Sequence, residues 1–216
     1  LRLQYGVPTK RLERKIRLNL TERLPETTFT EASGGLPIAE DIPIGGGHLE
    51  PVRRDTYPIR TDHPRPPLNH IVGTLHRHAM QSTRFLIQIL FRPVAGRPIH
   101  RWWRRKSALR QITYLRKNKE GLLTSRQPTP KERAQADAIE DKMGETQFTA
   151  AIRVLIVGTG DHTPARMKEI AGAFNAFDHP ETGQGFTFSV AQSLRERRIQ
   201  AFAEAIHRRD IHAYTL

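Results

Sequence analysis

Two stretches constrain the fold more than anything else in this sequence: Arg84 to Arg92 and Phe148 to Val157 carry apolar side chains at both odd and even positions. In the first, Phe85, Ile87, Ile89 and Phe91 share one face and Leu86 and Leu90 the other. In the second, Phe148, Ile152, Val154 and Ile156 oppose Leu155 and Val157. A strand that is apolar on both faces belongs inside a sheet with cover on each side, so both are expected as central strands. Pro93 and Gly96 stop the first of them.

Helical spacing surrounds these strands. Leu68, Ile71, Val72, Leu75 and Ala79 form one stripe on a helix ending near His78. Pro98 suits the first turn of a second helix, with Ile99, Trp102, Leu109, Ile112 and Leu115 as its buried stripe and an end near Gly121. Thr129-Pro130-Lys131-Glu132 has the form of a capping box and opens a third helix, which carries Ala136, Ile139 and Met143 and stops at Gly144. After a turn at Gly158-Thr159-Gly160-Asp161, Thr163 and Pro164 begin a fourth, with Met167, Ile170, Phe174 and Phe177 facing inward. A short strand, Phe186 to Val190, and a last helix with Leu194, Ile199, Phe202 and Ile206 follow.

Between Pro25 and Pro67 the glycine pair 34–35, the run Gly45-Gly46-Gly47 and Pro64, Pro66 and Pro67 predict loop, with one short strand around Val52 to Arg60. Lys15 to Leu20 alternates as a half-buried strand would, while Arg11 to Arg14 equally begins a helix. The whole reads as α+β: a ferredoxin-like βαββαβ sheet with an inserted basic helical hairpin at about 97–145 and a C-terminal helix. The expected division is an irregular region over 1–51, the sheet domain over 52–210, and a tail or the start of a following segment over 211–216.

The 37% hydrophobic content of 216 residues can fill a core, and a net charge of +13 predicts an anionic partner: nucleic acid, an acidic protein or a lipid surface. With no cysteine, disulfides, thiol catalysis, iron–sulfur clusters and cysteine-ligated zinc are excluded, which points to a reducing compartment. The runs 85–91 and 150–158 fall short of the ~20 residues that span a bilayer, so neither a transmembrane helix nor a signal peptide is expected. A start at Leu1 rather than Met suggests a piece of a longer protein.

The densest charge feature is Arg97 to Lys119, where Arg97, Arg101, Arg104, Arg105, Lys106, Arg110, Arg116, Lys117 and Lys119 occur without an acid. Trp102 and Trp103 interleave with it, and cations beside aromatic rings can neutralise phosphates and stack on bases. The candidate nucleic-acid-binding residues are Arg97, Arg101, Trp103, Arg104, Arg105, Lys106, Arg110 and Lys117. The competing reading is a solvated helix face with Trp102 in the core.

No catalytic, metal or cofactor site is expected. Gly158-Thr159-Gly160 lacks the Gly-Lys-Ser/Thr ending of a phosphate loop, and Asp161 would repel a nucleotide. His76 and His78, two apart on a helix, cannot chelate together; only as a strand would they suit a metal-dependent DNA nickase. Asp137, Glu140 and Asp141 suit a solvated face, and only an exposed position commends Tyr214 as a nucleophile.

Several stretches resemble the region upstream of the motor in conjugative type IV secretion ATPases of the HerA/FtsK-like class. These are Phe85 to Val94 with Gly96-Arg97-Pro98 and Arg101-Trp102-Trp103, Ser125 to Arg133, Ile152 to Gly158, Ala171 to Asn175, and Leu194 to Ile199. The resemblance covers roughly residues 55–210. It implies cytoplasmic, membrane-associated hexamers that drive DNA or protein through a secretion channel, with an ATPase core following this region. No catalytic residue of that core maps onto the chain, so the resemblance implies a non-catalytic accessory domain making subunit or channel contacts and binding DNA or an acidic protein. A stand-alone nucleic-acid module is the other reading, and it would require Phe186 and Phe188 to be presented to bases on an open sheet face.

Overall fold

The glycine run 45–47, expected as loop, lies within a strand, Ile44–Pro51, and the segment 52–60 expected as the strand is irregular. The computed structural model describes residues 5–23, 26, 28–30, 44–64, 66–79, 84–94, 98–120, 125–157, 163–190 and 196–211. Two compact units divide the chain, Leu1–Pro37 and Ile38–Leu216, and this strand belongs to the second. The first unit holds helix α1 (Lys10–Arg23), which resolves the ambiguity at 15–20 in favour of helix.

The second unit runs β1 (Ile44–Pro51), α2 (Pro67–Ala79), β2 (Arg84–Pro93), α3 (Pro98–Arg116), β3 (Lys119–Glu120), β4 (Ser125–Arg126), α4 (Pro130–Gly144), β5 (Phe148–Val157), α5 (Thr163–Ala173) with a 3-10 turn Phe174–Phe177, β6 (Phe186–Val190) and α6 (Glu196–His207). The four long strands are ordered β2-β5-β1-β6, all antiparallel. That order and direction are those of the split βαβ plan. The β3–β4 ribbon closes the tip of the inserted α3–α4 hairpin.

One sheet face buries Leu49, Val154 and Ile156 against Ile71 of α2, Met167 and Ile170 of α5, and Phe174. Phe186 and Phe188 pack against this same cluster, so they are not a base-stacking platform. The opposite face carries α6, whose Phe202 and Ile206 are buried. The glycines of β1 follow from this double cover. A Cβ on Gly46 would lie 2.5 Å from Phe202 Cε1, and one on Gly47 would lie 2.6 Å from Phe188 Cζ.

Only β5 of the two expected central strands is interior. β2 is at the sheet edge, and Ile89 and Phe91 are exposed there beside Phe148, with the Phe91 and Phe148 rings edge-to-face at 5.9 Å. Its apolar faces are covered only where α2, α5 and α6 reach. The inserted hairpin has a separate core of Ala108, Ile112 and Leu115 on α3, Ala136 and Ile139 on α4, and Tyr57 from the β1–α2 connection. The capping box is formed: Thr129 Oγ1 accepts from Glu132 N at 3.2 Å while Glu132 Oε2 accepts from Thr129 N at 2.8 Å.

Candidate functional site

Helix α3 buries Ala108, Ile112 and Leu115, spaced i, i+4, i+7, among its described side chains. This register differs from the expected one: Trp102 and Leu109, assigned to the core by the stripe, are exposed. Alanine at 108 is what α4 packs against, and the indoles are too large for that approach. Both tryptophans of the chain are about half exposed, Trp102 at 52% and Trp103 at 54%, with their rings edge-to-face at 5.0 Å. Large apolar rings left in water demand an explanation that scattered small ones do not.

The outward positions form a line. Trp103, Lys106, Arg110 and Tyr114 recur at three- and four-residue spacing on the side of α3 opposite its core, and Lys117, just past the helix end with its N–H still bonded to Thr113 O, continues the line to about 21 Å from end to end. Lys106 Nζ lies 4.5 Å from the Trp102 ring centre and 5.6 Å from that of Trp103, so one ammonium is held over two indole faces. Tyr114 is 60% exposed. Sequence reasoning left out Tyr114 and placed Trp102 inward; the spacing 103, 106, 110, 114, 117 was the available signal.

The cations sort into two sets. Arg104 pairs with Asp55 at 3.0 Å, and Arg116 pairs with Asp137 at 2.7 Å and Glu140 at 2.6 Å. Hydrogen bonding to Asp137, then to Glu140, raises the Arg116 pKa. These two arginines are neutralised within the chain. Arg105, Arg110 and Lys117 are exposed and make no ion pair among the described residues. Arg97 and the side chain of Arg101 lie outside the described residues.

The arm bearing this line, expected as an inserted basic hairpin, is anchored to the sheet unit. Gln184 fixes the 52–57 segment by accepting from Arg53 N at 2.8 Å and donating to the carbonyls of Arg53 and Arg54. From α3, Gln111 donates to Tyr57 Oη at 2.9 Å, and from α4 Lys142 donates to the carbonyls of Asp55 and Tyr57. The aromatic and cationic line therefore has a fixed orientation relative to β1.

The other polar concentration crosses the face under α6. Gln88, Arg153, His48 and Ser189 are register partners on four successive strands, with Arg153 fully buried. Arg153 donates to the carbonyls of Ala205 and Asp210, and Gln88 donates to that of Ile206, so this row caps the C-terminus of α6. It is a structural tie. Among the described residues no group of three or more histidines, aspartates or glutamates is placed to hold a metal ion. His76 and His78 both fall within α2, so the strand that a metal-dependent nickase would need is not formed there, and their side chains lie outside the described residues. Gly158 to His162 and Tyr214 lie outside the described residues.

With this geometry in hand, the family model described as Domain of unknown function (DUF8128) matches residues 1–216. The chain belongs to the DUF8128 family. No curated protein and no solved structure matches it. Among the described residues of this DUF8128 chain no helix is long and apolar enough to cross a membrane.

Proposed function

We propose that this chain is a non-catalytic accessory domain of a conjugative DNA-transfer or secretion motor, and that the outer face of α3 holds DNA through its phosphates. The observation that carries the reading is the line Trp103, Lys106, Arg110, Tyr114 and Lys117 on a helix face turned away from the chain's own core. Arginine and lysine in such a row neutralise phosphates and release counterions, which gives affinity with little sequence choice. The exposed patch of Ile89, Phe91 and Phe148 beside the β2 edge supports contacts with other subunits or with a channel. The setting in a cytoplasmic hexameric motor at the membrane rests on the sequence resemblance.

Both tryptophans are on α3, so their fluorescence reports on this face alone. Titration with duplex DNA, followed in parallel by anisotropy of labelled DNA, is expected to change the emission over the same concentration range as binding. Binding with unchanged emission would place DNA elsewhere, and no binding at low salt would end the DNA reading. A second reading, an acidic protein on the same face, is favoured by the latter result.

A further inference from the structure

The α3 face does not account for the other basic helix, α1, which lies in its own unit. Over 14 residues α1 carries Lys10, Arg11, Arg14, Lys15, Arg17 and Arg23 against Glu13 and Glu22. Glu13 is already engaged, 2.8 Å from Arg17. Leu12, Ile16 and Leu20 recur every four residues as one apolar stripe. Leu12 is 41% exposed, and Ile16 and Leu20 are part-exposed. The unit's own aromatic contact sits to one side: Tyr5 packs on Phe29, and the Arg17 guanidinium lies 5.4 Å from the Phe29 ring centre.

We infer that α1 lies flat on an anionic lipid surface, with Leu12, Ile16 and Leu20 inserted between headgroups and the basic residues on both flanks pairing with phosphates. Lys15 flanks the stripe on one side and Arg17 and Lys10 on the other, so their stems can cover apolar surface while their charges stay at headgroup level. A protein groove fits less well. Helix-in-groove contacts depend on large buried anchors, and the stripe has three aliphatic side chains and no aromatic one. Binding to an anionic bilayer instead accumulates with each basic residue near the surface and needs only modest apolar insertion. This site is independent of α3.

The test is co-sedimentation of the full chain with vesicles of equal parts phosphatidylglycerol and phosphatidylcholine, and with vesicles of phosphatidylcholine alone. Partition is expected to be at least about a hundred-fold stronger on the anionic vesicles, as several cations acting together would give. Replacing Leu12 and Ile16 by Glu should abolish it, as should changing Lys10, Lys15 and Arg17 together to Gln. Leu18 stands on the opposite side of α1 and is 64% exposed, so Leu18→Glu makes the same chemical change to the same helix and should leave partition intact. Replacing Lys106, Arg110 and Lys117 of the outer line by Ala should also leave it intact. The proposal is overturned by equal partition on neutral vesicles, by no partition on either, by loss with Leu18→Glu equal to that with the stripe variant, or by loss only with the α3 variant.

Discussion

Lys142 on α4 donates to the backbone carbonyl of Tyr57 at 2.9 Å and to that of Asp55 at 2.5 Å, tying the inserted hairpin to the connection that leaves β1. Burial pushes its ammonium below the ordinary lysine value, with nearby Asp55 opposing the shift and Arg104 adding to it. Lys142→Met removes the donor and leaves both carbonyls without it, an expected loss of about 1–3 kcal/mol in denaturant unfolding.

The same residue sets a pH dependence. A lysine pKa that is lower in the folded than in the unfolded chain means that the unfolded state binds more protons between the two values. Stability contributed by this group therefore rises with pH through that window, up to its ordinary value near 10.5. The difference in unfolding free energy between wild type and Lys142→Met should grow as pH is raised across it. A difference that shrinks with pH would contradict the burial argument.

Gly46 is a position where the sheet tolerates no side chain, because a Cβ would meet Phe202 Cε1 at 2.5 Å. Gly46→Ala is expected to cost about 1–3 kcal/mol by overpacking α6. Gly73 within α2 has nothing within 4 Å of an added Cβ, so Gly73→Ala should instead stabilise by about 0.5–1 kcal/mol. Thermal unfolding of the pair checks both signs.

Arg153 holds the end of α6 from a fully buried position on β5. Arg153→Met keeps much of the volume but removes the donors to Ala205 and Asp210, and the expected destabilisation is about 1–3 kcal/mol. Hydrogen exchange should show faster opening at the last turn of α6 than in β5. Equal acceleration everywhere would mean a general core defect and not a lost tie.

Much of the architecture was legible in the residues, because capping chemistry and helical spacing are local. Thr129 and Glu132 announced α4, and the apolar run at 148–157 announced an interior strand. The first strand was not legible. Gly45, Gly46 and Gly47 have no strand propensity of their own, and Gly46 and Gly47 are required by the close approach of Phe202 and Phe188 from opposite sides. The edge position of β2 was hidden as well, since Phe85 and Ile87 face the core while Ile89 and Phe91, in the same alternation, extend past the covering helices. On α3 the residues with the greatest apolar weight, Trp102 and Leu109, drew the expected stripe toward themselves, whereas the hairpin closes on small Ala108.

The central claim is that cations on the outer face of α3 neutralise DNA phosphates, and the salt dependence of binding measures this most directly. For the wild-type chain, the logarithm of the binding constant for duplex DNA should fall linearly with the logarithm of salt concentration. With Lys106, Arg110 and Lys117 replaced by Ala, the slope should flatten by about two to three as those phosphate contacts are lost, and affinity should weaken about equally for unrelated sequences. A triple variant that keeps the wild-type slope and affinity would contradict the claim.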